Sequence, residues 1–287
     1  MHEHAAQLLD DVRVERIGPD GPEVRYRARL SEAWNFFMPS GGVLTSIALR
    51  AMAAEVGDDW RPISTNTIFH EAIEDGPLEV WVHVLRRGNV ATQLRAALGP
   101  AGDDPRMEVQ ATFVRGRRGP AVVPREYPAD LLPAEACEPY WRSRTPLPFF
   151  RHLDTRLAYG HRHWVSEWEP GPARCARWFR YRQPPLREGR LAWEAYPPLV
   201  DTMPAALFEA LGSEHPRMYA PSLDLTVHYL AETRSEWVLA HARAIWAADG
   251  WASAEMELWD EDRRLLAYGT QTMMLRSLPG ERVTSGR

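Results

Sequence analysis

Few side chains in this chain could carry a reaction. All 34 basic residues are arginine, which removes Schiff-base, lysine-nucleophile and P-loop chemistry. Cys137 and Cys175 are too few and too isolated for a disulfide framework or paired zinc ligands. His2-Glu-His4 and His161-Arg-His163 have metal-like spacing without an accompanying cysteine or carboxylate pattern, so they read as exposed polar residues, and neither metal nor cofactor is expected. What remains is carboxylate, hydroxyl and amide. Asp201 lies in an apolar stretch, Ser222, Asp224 and Thr226 are two apart and would share a strand face, and Gln271 follows. Such a set can take a proton from a water and hold that water, and either Asp201 or Asp224 could be the base.

These residues sit in a sequence that repeats itself. Arg61–Glu71 lies under Tyr219–Tyr229 without a gap, which puts Ser64 under Ser222 and His70 under His228, 158 positions apart. The same spacing puts His83 under His241, and a slightly longer one puts Gln110 under Gln271 and Arg115 under Arg276. A period this long means paired domains and not a solenoid. Asp201 falls over Val43, so the first copy lacks the carboxylate and one site per chain is expected. The four repeated histidines read as structural residues on half-buried strands.

The elements that must position these groups are legible from periodicity. Two short strands flank the turn Gly18–Pro22, the second being Glu23–Leu30. Ser40 is a plausible N-cap for Val43–Glu55, apolar almost all round and therefore a buried helix. Strand-like runs follow at 65–70, 78–85, 91–98 and 107–115. One buried helix and a run of antiparallel strands make an α+β layout, not the alternating order of a dinucleotide fold. The second copy repeats the plan: a hairpin within 151–183, a buried helix within Ala195–Gly212, and strands at 223–229, 237–247, 251–259 and 265–276. The expected domains are 1–116 and 149–287, joined by a proline-rich linker, 117–148, with a frayed tail from Gly280.

With 287 residues, 45% hydrophobic and 25% charged, the chain can bury a proper core. A net charge of −5 argues against a nucleic-acid binder. No signal peptide or membrane span is read, and a cytoplasmic location is the default expectation.

Gly41-Gly42 before the first helix, Val200-Asp201 at the second, Pro221–His228 and Gln271 together carry a family resemblance. The chain resembles the double-hotdog acyl-CoA thioesterases of the bacterial medium-chain type, over nearly all its length except the linker. The resemblance implies a tandem hotdog, each half an antiparallel sheet wrapped around a central helix, and an acyl-CoA or acyl-carrier thioester as substrate. In that family an Asp opening the second-half helix, a Ser or Thr hydroxyl and a Gln hold the attacking water; the matching positions are Asp201, Ser222 and Gln271. Asp201 would be the base, kept anionic by the helix N-terminus, which it would also cap. Gly41 and Gly42 would admit substrate closely, and their amides could take an oxyanion. Trp34, Phe36, Phe37, Trp164, Trp168 and Trp178 are candidates for an acyl pocket. A homo-oligomer is a weak expectation. The competing reading is a duplicated hotdog that binds an acyl ligand without turnover. The hydratase and dehydratase hotdogs are less favoured, because their Asp-x-Asn-Pro-x-His pattern is not found.

Overall fold

The computed structural model describes residues 7–18, 21, 23–141, 145–162 and 167–278. His2, His4, His163, Trp164 and the tail from Gly280 lie outside them. The strands of the first half are β1 (Glu15–Ile17), β2 (Glu23–Leu30), β3 (Arg61–Phe69), β4 (Gly76–Arg87), β5 (Ala91–Pro100) and β6 (Met107–Val114). Those of the second are β7 (Glu138–Pro139), β8 (Leu153–Tyr159), β9 (Arg174–Tyr181), β10 (Leu186–Arg187), β11 (Arg190–Leu191), β12 (Met218–Tyr219), β13 (Asp224–Tyr229), β14 (Val238–Ala248), β15 (Trp251–Asp260), β16 (Leu265–Met274) and β17 (Arg276–Ser277). The helices are α1 (Leu8–Asp11), α2 (Gly41–Val56), α3 (Tyr196–Val200) and α4 (Ala205–Leu211).

Among the described residues, thirteen strands form one antiparallel sheet, joined at a seam where β3 pairs with β13. Outward from that seam the first half runs β3-β6-β5-β4-β2-β1 and the second β13-β16-β15-β14-β9-β8-β7. The same connectivity therefore occurs twice, as expected of a tandem hotdog. β2 alternates exposed and buried along its whole length because one face packs on the core and one meets water.

α2 is buried almost all round, as its composition requires, and packs in the main core with β2–β6 and α3. Ser40 caps it, accepting a hydrogen bond from the Val43 amide at 3.3 Å. The second-half helix differs from expectation: it is broken into α3 and α4. Pro204 lacks an amide hydrogen and its ring opposes a helical carbonyl four residues back, so α3 stops at Val200. Asp201 sits in that break, at the C-terminus of α3, not at the start of a helix.

The segment between the halves has no helix or strand before a short 3-10 turn, Ala134–Ala136, and β7, more structure than its prolines suggest. It lies on the outer face of the second half, where Trp178, Trp237 and Trp259 form a small second core with Cys137 and Tyr127. Arg125 pins it there, pairing with Glu257 and stacking 4.3 Å over the Tyr268 ring. Burial works against ionisation of Glu257, but hydrogen bonds from His241, Arg125 and Trp259 outweigh it and hold the carboxyl at about 2.

Gln110 is not the counterpart of Gln271. Gln271 faces the core and is buried, whereas Gln110 lies on the exposed face of β6. Side chains alternate along a strand, so an alignment out by one residue exchanges the faces.

Candidate active site

Asp201 is the centre of the site, and both halves of the chain hold it. Its Oδ2 accepts the Gly42 amide at 2.9 Å and the Ser40 hydroxyl at 3.0 Å, both at the N-terminus of α2 in the first half. Its Oδ1 accepts the Gln271 side-chain amide from β16 at 2.9 Å and faces the Ser222 hydroxyl at 3.5 Å. Gln271 Nε2 also donates to Ser222 Oγ. The three side chains singled out in the sequence thus meet at one carboxylate. Ser40 completes the group; its place as the cap before Gly41-Gly42 was visible, but its role toward Asp201 was not.

The carboxylate does sit at a helix N-terminus, but that of α2 and not of its own helix. Two helices can approach this closely because residue 42 is glycine: a Cβ there would lie 2.4 Å from the Pro197 carbonyl oxygen. On the second-half side, a Cβ at Gly269 would lie 2.4 Å from Val200 Cγ1, so β16 also approaches α3 closely.

Burial raises the Asp201 carboxyl to about 6, against the lowering effect of the Gly42, Ser40, Gln271 and Ser222 hydrogen bonds. The expectation of a readily ionised aspartate is therefore corrected: desolvation exceeds the help of the α2 N-terminus. A carboxyl near 6 is a better proton acceptor than an ordinary aspartate and is still ionised above neutrality.

Asp201, Ser222, Thr202 and Gly41 line a cavity of about 440 Å³. Gln271 stands behind them, and its Oε1 is buried without a hydrogen-bond partner among the described residues. Of the first-turn amides of α2, Gly42's goes to Asp201, Val43's to Ser40 Oγ and Leu44's to the Ser40 carbonyl. Gly41 carries the remaining one, at the cavity wall.

The cavity is mostly apolar. Phe36 and Phe37 contribute to it as expected, joined by Trp141, Phe150 and Phe208, which sequence reasoning missed. Trp34 is instead wholly buried, with its ring nitrogen on Asp11, and Trp178 lies in the small core of the other sheet face. Trp168 stacks on His161, whose Nδ1 meets Glu209 at 2.7 Å.

Asp224, the rival base, accepts the Thr272 amide at 3.1 Å and is not among the cavity's walls. Ser222 does not share its strand face, because β13 begins only at Asp224 and Ser222 pairs separately with Met273. Of the repeated histidines, His70 lines the cavity from an exposed position, His228 stacks on Tyr268 and His241 faces Glu257.

Comparisons with known proteins agree with this architecture. The family model of the acyl-CoA thioesterase N-terminal domain matches residues 30–115, and that of the C-terminal domain matches residues 128–275. A hot-dog-fold protein of unknown function from Alicyclobacillus acidocaldarius superposes with a TM-score of 0.75 at 19% identity, covering 94% of this chain and 98% of its own. An acyl-CoA thioesterase II from Mycobacterium marinum gives 0.73 at 19% identity, covering 95% and 99%. At such identity these structures establish the fold alone. Comparison with curated proteins gives no match. No helix among the described residues is long and apolar enough to cross a membrane. With both of its halves matched by the corresponding family models and the hotdog built twice, the chain belongs to the acyl-CoA thioesterase family.

Proposed function

We propose that the chain hydrolyses acyl thioesters, with a fatty-acyl or related acyl-CoA as substrate and Asp201 as general base. The observation that carries this is the convergence of Ser40, Ser222 and Gln271 on the Asp201 carboxylate at the wall of an apolar cavity. A water in the cavity, held by Asp201 and Ser222 at its wall, attacks the thioester carbon while Asp201 takes its proton, and Gln271 behind them orients both side chains. The tetrahedral intermediate collapses with cleavage of the carbon–sulfur bond, and the proton passes to the departing sulfur. The products are a carboxylic acid and a free thiol. The Gly41 amide, at the start of α2 and at the cavity wall, is the donor best placed for the developing oxyanion. An acyl-binding protein without turnover would have no use for a carboxyl buried among three side-chain donors and raised toward neutrality, which costs stability.

The test is thiol release from acyl-CoAs of graded chain length by the wild type and by Asp201→Asn. The substitution is expected to lower kcat about 100-fold or more without loss of fold. Turnover that survives it would remove Asp201 as the base, and no turnover by the wild type on any chain length would leave the acyl-binding reading.

A further inference from the structure

Gly41 and Gly42 open α2 together, and neither has a positive φ, so the backbone conformation alone does not require glycine at either. Close neighbours do. At Gly42 the neighbour is α3; at Gly41 it is the ring of Phe69, at the end of β3. A Cβ at Gly41 would lie 2.7 Å from Phe69 Cζ and 3.1 Å from Cε1, so the ring edge rests on the Gly41 main chain.

Thr67 stands two positions before Phe69 on the same face of β3 and is buried. Its hydroxyl meets that of Thr45 at 3.0 Å, and the Thr45 hydroxyl donates to the Gly41 carbonyl at 2.9 Å. One face of β3 therefore holds Gly41 at two points, its carbonyl through Thr45 and its Cα through Phe69.

Phe69 is tied to the second half as well. Its amide donates to the Leu223 carbonyl at 2.9 Å, and the Leu223 amide donates to the Thr272 carbonyl at 2.8 Å. Leu223 follows Ser222, and Thr272 follows Gln271. Contacts thus close a circuit: the Gly42 amide to Asp201, Asp201 to Gln271 and Ser222, then through Leu223 to Phe69 and back to Gly41. Phe69 also lines the cavity. The Gly41 amide nitrogen is bonded to the Cα that the ring edge touches, so a shift of that Cα carries the amide with it. A displacement of about 1 Å in a reacting geometry can cost on the order of 100-fold in rate.

We propose that Phe69 is a positioning residue, whose ring sets the Gly41 amide at the separation from Ser222 and Asp201 that the reaction needs. The proposal rests on the hydrolase reading, with the Gly41 amide as oxyanion donor, and extends it to a residue of β3.

Phe69→Leu keeps an apolar wall and the backbone bond but ends short of the ring atoms that touch Gly41. It is expected to lower kcat roughly 10-fold with KM little changed, and to leave the pH midpoint set by Asp201 in place. Gly41→Ala puts a methyl against the ring and should lower kcat roughly 100-fold. Adding Phe69→Leu to it makes room for that methyl and should recover about 10-fold. A rise in KM alone, a moved midpoint, or two effects that simply multiply overturns the proposal, because Phe69 would then be only a wall or would act through Asp201.

A second readout needs no turnover. Asp201→Asn protein labelled with 15N-glycine is titrated with the acyl-CoA of the graded series that it binds most tightly by calorimetry. The Gly41 amide proton is expected to move downfield as it donates to the thioester carbonyl, and Phe69→Leu in the same protein should remove most of that movement. Equal movement in both proteins, or none in either, overturns the proposal. Absence of thiol release in the wild type would count against the hydrolase reading alone.

Discussion

At the residue scale the site is a balance at one carboxyl group. Desolvation lifts Asp201 to about 6, and four hydrogen-bond donors restrain the rise. The proposed base works when ionised, so kcat is expected to climb with pH to a plateau, with a midpoint near 6 in a pH–rate profile. Ser40→Ala removes a donor to the charged form and should move that midpoint upward; the lost α2 cap should also cost about 1 kcal/mol in a denaturant melt. An unmoved midpoint would mean that Ser40 serves the helix alone. The stability sign is the reverse of that for an ion-paired aspartate. Folding raises this pKa above 3.8, so the folded state holds the proton more tightly. The cost of burying the charge is fully present above about 6 and disappears as pH falls through 3.8. Asp201→Asn at pH 8 should therefore melt no lower than the wild type. The trio Asp201, Ser222 and Gln271 was legible from the family pattern. Ser40 was not, because its local sequence does not say what faces it.

At the element scale the site depends on two helices in near contact. Gly42 faces the Pro197 carbonyl and the Pro198 Cα, at 2.4 and 2.6 Å from where a Cβ would stand. Neither backbone atom can yield as a flexible side chain would. Gly42→Ala is expected to push α2 and α3 apart, lowering stability by about 1–3 kcal/mol, with a loss of activity beyond that explained by unfolding. A variant as active and as stable as the wild type would show that the helices have room to spare. The strands and α2 were readable from periods of two and from a continuous apolar run, since each reflects which face is buried. The break at Pro204 was equally written in the residue type, but the apolar composition on both sides masked it.

At the scale of the whole molecule, the duplication brings both halves to the Asp201 carboxylate. Ser40 and Gly42 come from the first half, Asp201, Ser222 and Gln271 from the second, and β3 and β13 join their sheets into one. Neither half can assemble the carboxylate's surroundings alone. Urea unfolding followed by tryptophan fluorescence and by activity is therefore expected to show coincident transitions. Activity lost well before the fluorescence change would mean that the halves come apart as separate units.

The sequence by itself determined the strand faces, the buried helix, the repeated plan and the absence of lysine chemistry. Each depends on residue type or on neighbours within a few positions. Only the tertiary structure decided which helix Asp201 serves and that burial outweighs the pull of that helix. Asp201 and Gly42 are 159 residues apart, and no periodicity reports a hydrogen bond across that distance. The close approach that makes it exists only once both halves have folded against each other.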